Sequence, residues 1–229
     1  MRIRAAAAAL LLLALPAPAM AEGQIWATAS LTASMARPWR LNVEVQPRWE
    51  RDVSEYTQTV ARAQVGHTLP RNAIAWFGFE YHAPSSPFAR REHRLWQSLT
   101  WAVHDGPWTL SQRARLEERW LDQAPSLVLR ARYQLRATRP IRGGPWGVIG
   151  MGELFLTVRG TRLGPDQGVD RGRLGAGMSR RLAPQVAVEA GYVWEYINRP
   201  TPEPNAINGA LAMNVAVRFP ADIHTRPAD

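Results

Sequence analysis

The segment from Trp39 to Glu50 alternates strictly between apolar and polar side chains. Its apolar positions are Trp39, Leu41, Val43, Val45, Pro47 and Trp49. Only a β-strand places alternate side chains on opposite faces. A tryptophan stands at each end of the apolar face, and ten residues of strand span about 33 Å. At a tilt of about 40° this strand covers about 25 Å, the height of the apolar band of a transmembrane β-barrel.

The first 21 residues have the pattern of a secretory signal peptide. Arg2 and Arg4 precede an apolar run over residues 5–15, and Ala19-Met20-Ala21 is a small-x-small cleavage signature. The run is too short for a spanning helix, which needs about 20 apolar residues. We therefore predict a cleaved signal peptide over residues 1–21. Beyond it no stretch resembles a transmembrane helix, so a membrane-spanning chain must cross with strands.

Charge and cysteine content narrow the classes of partner and cofactor. The chain has a formal net charge of +9, and all 28 basic residues are arginine. Such a charge would suggest nucleic acid in a cytosolic protein, but export argues against that partner. The chain has no cysteine, which excludes disulfides and thiolate metal sites. We predict no cofactor.

Segments of period two recur along the rest of the chain, separated by turn residues. We predict strands near residues 24–34, 39–50, 57–69, 72–82, 91–104, 108–121, 127–139, 146–158, 170–181, 185–198 and 205–219. Bacterial barrels usually have an even number of strands. The expected fold class is therefore all-β, a single antiparallel transmembrane β-barrel of about 10 to 12 strands over residues 22–219. Residues 220–229 are expected to form a disordered C-terminal tail.

The connections alternate between short turns and longer loops, with the longer ones at 83–90, 159–169 and 199–204. Bacterial barrels keep short turns on the periplasmic side. This places the turn at 35–38 in the periplasm, so the first segment would run inward from the outside. That direction conflicts with delivery from the periplasm. Either the first segment threads or lines the barrel, or one strand is miscounted.

The face opposite the apolar one carries many charges, and arginine predominates. The arginines predicted to face the lumen are Arg40, Arg48, Arg62, Arg94, Arg113, Arg115, Arg119, Arg130, Arg132, Arg136, Arg171, Arg173, Arg181 and Arg218. The glutamates are Glu44, Glu50, Glu80, Glu92, Glu117, Glu153, Glu189 and Glu195. An unpaired desolvated ion costs several kcal/mol, so we expect an arginine-carboxylate lattice that fills the lumen. The surplus arginines would attract anions or line an anion-selective path.

Several charged motifs lie at fixed strand positions. They are Glu92-His-Arg-Leu-Trp-Gln97, Arg113-Ala-Arg-Leu-Glu-Glu-Arg119, Glu153-Leu-Phe155, Asp170-Arg-Gly-Arg-Leu-Gly-Ala-Gly177 and Gly191-Tyr192. Together, over about residues 24–219, they resemble a bacterial family catalogued as domain of unknown function 2490. The resemblance implies an outer-membrane β-barrel whose motif residues point inward, and it brings no substrate or catalytic residue. The expected lumen ion-pair network is Glu92, Arg94, Arg113, Arg115, Glu117, Arg119, Glu153, Arg171 and Arg173.

Aromatic residues stand near the ends of the predicted strands. They are Trp39, Trp49, Trp101, Trp108, Trp120, Trp146, Tyr192, Trp194 and Tyr196. Their outward parity predicts the interfacial girdles of a membrane barrel. A carbohydrate-stacking platform is the alternative interpretation.

An enzyme is the alternative from a different functional class, since outer-membrane barrels can be lipid hydrolases. Such chemistry needs a nucleophile within hydrogen-bond reach of its base. No histidine has a serine two residues away, and Ser98 faces opposite to His93 on its strand. Glu80 and His82, with Glu92 or His104, form only a weak metal pattern. We predict neither catalytic residues nor a metal site.

The expected location is the bacterial outer membrane. The last strand ends in Phe219, which is similar to the signal that barrel-assembly machinery recognises. Expected partners are outer-membrane lipid, that machinery during biogenesis, and small anionic solutes, with no nucleic acid. The favoured function is a narrow passive or weakly anion-selective pore, or a barrel that binds a small acidic solute. The alternatives are a structural barrel with a sealed lumen and a lipid-modifying enzyme.

Overall fold

The structure, a computed structural model, describes residues 23–50, 55–86, 91–122, 126–161, 165–199 and 204–219. Within these ranges the chain forms eleven strands: β1 Gly23–Ser34, β2 Trp39–Glu50, β3 Glu55–Leu69, β4 Ala73–Pro84, β5 Glu92–Asp105, β6 Trp108–Leu121, β7 Val128–Pro140, β8 Trp146–Arg159, β9 Gly168–Ala183, β10 Val186–Ile197 and β11 Ala206–Phe219. Each predicted segment is a strand, and β2 has the predicted bounds. The predicted signal peptide and C-terminal tail lie outside the described residues.

The strands form one closed barrel in sequence order. Each consecutive pair is antiparallel, whereas β1 pairs in parallel with β11, from Gly23 beside Gly209 to Ala33 beside Phe219. An odd number of consecutive antiparallel strands makes the first and last run in the same direction, so the closing pair must be parallel. The prediction of a wholly antiparallel barrel was therefore wrong at this seam. The first segment is a strand of the wall and does not thread the lumen.

The two ends of the barrel differ in their connections. At one end, the short-turn end, the strands are joined by residues 35–38, 70–72, 106–107, 141–145 and 184–185. Arg71 and Asn72 have φ angles of 59° and 57°. Positive φ at both central residues is the geometry of a type I′ turn, which suits the twist of a hairpin. The other end, the loop end, carries the predicted loops 83–90, 159–169 and 199–204, parts of which lie outside the described residues.

The alternation of the strands places apolar side chains outside and charged side chains inside. Val45, Phe77 and Leu154 point outward and are 48%, 54% and 50% exposed. Glu80 and Glu117 point inward and are 0% exposed. Charged side chains are almost never fully buried unless they are paired, and both of these carboxylates contact arginine. No helix among the described residues is long and apolar enough to cross a membrane.

Two buried aromatic rings lie among the charges in the lumen. Trp96 and Phe155 are 0% and 1% exposed, and both lie nearer the loop end of their strands. The Trp96 ring covers Gly78 on the neighbouring strand, where any Cβ would collide with it. Glycine at this position therefore makes the space that the tryptophan occupies.

We expect Gly78→Val to lower the free energy of unfolding by about 1–3 kcal/mol, because overpacking forces side chains and backbone to shift. Urea unfolding of the refolded barrel measures this change. Gly150→Val is the control, since Gly150 lies on the outer face of β8 and has open space around its Cβ position. Equal unfolding midpoints for the two variants would show that Trp96 is not fixed against Gly78.

A charged lumen as the candidate functional site

A first network of ion pairs runs across strands β2 to β6. Its members are Glu44, Arg62, Glu80, Glu92, Arg94 and Arg119. Arg62 donates to both Glu44 and Glu80. Arg94 joins the next two carboxylates, with Nη1 to Glu80 Oε1 at 2.5 Å and Nε to Glu92 Oε1 at 2.7 Å. The alternation of arginine and glutamate on neighbouring strands gives Glu80 and Glu92 two arginine partners each, whereas Glu44 contacts Arg62.

A second network continues the pattern across strands β6 to β10. Its members are Arg113, Arg115, Glu117, Arg130, Arg132, Glu153, Asp170, Arg171, Arg173 and Glu195. Arg132 links Glu117 at 2.5 Å to Glu153 at 2.7 Å. Arg173 donates to Glu195 at 2.6 Å and lies 3.7 Å from Glu153. We call the two networks together the ion-pair lattice.

All nine residues predicted for the lumen network belong to this lattice. The structure brings Glu92, Arg94 and Arg119 together in the first network and the other six in the second. Glu92 and Glu153 are 9% and 6% exposed. Buried charges of both signs are in direct contact, so the lattice is a continuous set of ion pairs within each network on the inner face of the barrel.

Five other arginines predicted to face the lumen lie outside the lattice, namely Arg40, Arg48, Arg136, Arg181 and Arg218. Arg136 Nη2 donates to Glu189 Oε1 at 2.7 Å, an isolated pair. Arg48 Nη2 donates to Gln46 Oε1 at 2.7 Å. Arg40 Nε donates to a threonine hydroxyl at 3.2 Å. Of Arg40, Arg48 and Arg136, only Arg136 therefore has a carboxylate partner among the described residues.

Strict alternation along the strand placed Asp170 on the outer face, so it was not predicted to face the lumen. In the structure its side chain is buried, and Asp170 Oδ2 lies 3.6 Å from Arg130 Nη1. The register between β8 and β9 shifts here, because Phe155 pairs with Arg171 while Leu156 pairs with Val169. A β-bulge leaves one extra residue unpaired and breaks strict alternation. The bulge adds one carboxylate to a lumen rich in arginine.

The weak metal pattern around His82 is part of an ordinary hydrogen-bond network. His82 Nε2 lies 2.5 Å from Glu80 Oε1, and its Nδ1 lies 3.2 Å from Gln58 Oε1. Among the described residues, no group of three or more histidine, cysteine or acidic side chains is arranged to hold a metal ion.

The serine and histidine considered for hydrolysis are on opposite faces of the wall. Ser98 lies inside and is 8% exposed. His93 lies outside and stacks on Tyr81, with ring centroids 4.8 Å apart. These two side chains therefore do not form a nucleophile and base pair.

A cavity of about 1040 Å³ opens at the short-turn end. Its lining contains three arginines that point into the lumen, Arg136, Arg181 and Arg218, and two that point outward at the rim, Arg139 and Arg180. Glu189 is the one carboxylate that lines it among the described residues. We call this cavity the basic vestibule. Arg181 and Arg218, which point inward from β9 and β11, have no carboxylate within ion-pair distance in the part of the chain that the structure describes.

The aromatic residues predicted as girdles lie toward the two ends of the barrel. Near the short-turn end are Trp39, Trp101, Trp108 and Trp146, and toward the loop end are Trp49, Trp120, Tyr192, Trp194 and Tyr196. At the short-turn end, two rings carry a guanidinium, Arg139 over Trp108 at 5.5 Å and Arg180 over Trp146 at 5.1 Å.

Fold and site together define a closed β-barrel with an apolar exterior and an ion-paired interior. The chain belongs to the family described as protein of unknown function (DUF2490), whose sequence profile matches residues 23–206. This confirms the resemblance noted in the sequence. The chain is also similar to an uncharacterized protein of Methylorubrum extorquens, with 29% identity over 204 residues that cover 86% of this chain and 88% of the relative. Neither description names an activity.

Proposed function

We propose that this protein is an outer-membrane β-barrel that binds small anionic solutes in the basic vestibule. The observation that carries the proposal is a lumen that the ion-pair lattice fills toward the loop end, while arginine lines its short-turn end. An anion could enter from the short-turn end and meet positive charge.

The proposed membrane location is supported by the surface of the barrel. Large apolar side chains are exposed around it, as at Phe77 and Leu154, and aromatic residues stand toward both ends. Membrane barrels have this apolar band between aromatic girdles, with a polar interior. Short turns usually face the periplasm in such barrels, so the basic vestibule would open there.

The basic vestibule offers the chemistry that carboxylates and phosphates require. Arginine presents a planar fork of donors that binds such groups in bidentate fashion. Arg136 is paired with Glu189, while Arg181 and Arg218 lack a carboxylate partner among the described residues. The volume of about 1040 Å³ suits a small organic acid, since ligand sites commonly occupy about 300–1,000 Å³.

Binding of small dianions should depend on these two arginines. We expect the double variant Arg181→Gln with Arg218→Gln to bind phosphate and succinate at least about a hundredfold more weakly, because each lost charge-assisted hydrogen bond is worth about 1.5–3 kcal/mol. Isothermal titration of the refolded protein measures this. Arg159→Gln is the control, an exposed arginine at the loop end of β8. Unchanged affinity in the double variant would refute binding in the basic vestibule.

A narrow anion-selective pore is the second candidate, because the surplus of arginine also suits conduction. The filled lumen argues against it, since Trp96, Glu80 and Glu117 are all 0% exposed. We expect protein inserted in a planar bilayer to give no discrete conductance steps. Steps with an anion-favouring reversal potential would replace the binding barrel with the pore.

A further inference from the structure

Arg115 differs from the other arginines of the ion-pair lattice. Each of the other eight has a carboxylate oxygen within 2.9 Å in the described part of the chain. The nearest carboxylate oxygen to Arg115 is Glu117 Oε1, at 3.6 Å. That distance is too long for a hydrogen bond. Glu117 instead accepts hydrogen bonds from Arg130 and Arg132, at 2.6 Å and 2.5 Å.

This arginine is also buried. It is 7% exposed, and its guanidinium lies over the Trp96 ring at 3.7 Å from the centroid. The ring face stabilises a cation, but it does not accept hydrogen bonds from N–H groups that lie in the plane of the guanidinium. Nε of Arg115 has no hydrogen-bond partner among the described residues.

Neighbouring side chains also have buried donor atoms without a hydrogen-bond partner. In the described part of β5 and β6, the buried side-chain atoms without a partner are Trp96 Nε1, Ser98 Oγ, Arg113 Nε and Arg115 Nε. Ser98 is directly opposite Arg115 in the strand register, and Trp96 is the next inward residue on the same strand. All four atoms can donate, and only the serine hydroxyl can also accept. A buried donor left unpaired costs about 1–3 kcal/mol.

An anion fits this group of donors better than a water molecule. A water molecule must donate its own two hydrogens to acceptors, and among these four atoms only the serine hydroxyl can accept. Elsewhere in the described part of the barrel, the buried atoms without a partner include the acceptors Asp170 Oδ1 and Asn214 Oδ1. The ion pairs of the lattice join nine arginines to seven carboxylates, so positive charge is in excess. An uncompensated buried charge costs several kcal/mol.

We propose that Arg115, Ser98 and Trp96 bind a small monovalent anion, chloride at ordinary salt concentrations. Opposed residues of paired strands are about 5 Å apart, so donors at adjacent inward positions are close enough to share one halide, which is smaller than an organic acid. The site lies within the ion-pair lattice, whereas Arg181 and Arg218 lie at the short-turn end. It therefore stands whether or not the basic vestibule binds a solute.

Thermal unfolding of the full refolded protein tests this site. Sodium chloride is exchanged for sodium gluconate at constant ionic strength, and the midpoint temperature is followed as chloride increases. We expect the midpoint of the wild type to rise by about 5 °C at a chloride concentration one hundred times Kd, because a ligand of the native state stabilises it. Equal midpoints in the two salts would overturn the proposal and leave a hydrated site.

Two variants separate a specific site from a general salt effect. Arg115→Gln should abolish the chloride response, and Ser98→Ala should move its midpoint to higher chloride, which keeps the test open if the arginine variant fails to fold. Arg119→Gln is the matched control, because Nε of Arg119 already donates to Glu92 at 2.5 Å. It should lower the unfolding temperature and keep the chloride response. A response unchanged in Ser98→Ala and in any folded Arg115→Gln would overturn the proposal.

Discussion

Replacing Glu117 with glutamine should lower the free energy of unfolding by about 3–5 kcal/mol, the usual effect of removing one partner of a buried ion pair. Glu117 is 0% exposed, and its two oxygens accept hydrogen bonds from Arg130 at 2.6 Å and Arg132 at 2.5 Å. The neutral amide leaves both guanidinium groups short of negative charge in a closed interior. Urea titration of the refolded barrel, followed by tryptophan fluorescence, measures the loss.

Glu118→Gln provides a control one residue away. Glu118 points to the outer face and is half-buried, so its substitution should change the free energy of unfolding by no more than about 0.5 kcal/mol. A small effect in both variants would mean that water solvates the arginines around Glu117. The lumen would then be open, and the pore would become the favoured function.

Leu116→Arg should lower the free energy of unfolding by a comparable amount, because it adds a charge to the outer face of the barrel. Leu116 is 43% exposed at mid-height on β6, and an arginine there would be harmless in water. In a bilayer, an arginine on the lipid face near the midplane costs about 2–4 kcal/mol. Reversible folding into lipid vesicles measures this cost.

Val148→Arg gives the depth dependence that a bilayer requires. Val148 also points outward, but it lies two residues from the short-turn end of β8. Near the interface the cost of an arginine falls to about 0–1 kcal/mol. Equal costs at the two positions would indicate that lipid does not surround this face, because water and crowding alone would not distinguish them.

Alternation alone was sufficient to locate the strands. Apolar and polar residues change with period two from Trp39 to Glu50, and the strand has those bounds. Closure was not predictable in the same way, because pairing of β1 with β11 is set by the whole circuit of the barrel rather than by either segment. The position of Asp170 was missed for a local reason, since a bulge changes parity without a clear mark in the sequence.

Parity placed the charged residues on the inner face, but it did not determine their partners. Arg113 begins the motif that contains Glu117, yet it donates to Glu153, two strands away. Arg136 on β7 donates to Glu189 on β10, across the lumen. Such contacts depend on the curvature of the closed barrel and on side-chain rotamers. The long distance between Arg115 and Glu117 could be recognised only once the partners of Glu117 were known.

The central proposal is that lipid surrounds this barrel at mid-height, and a fluorescence-quenching measurement tests it most directly. The chain has no cysteine, so single labels can be placed without background. Leu135→Cys lies at mid-height on the outer face of β7, and Arg142→Cys lies in the turn at the short-turn end. In vesicles with a quencher attached to the acyl chains, we expect strong quenching at position 135 and little at 142. Absence of quenching at both positions, with the protein folded and in the aqueous phase, would contradict a membrane barrel.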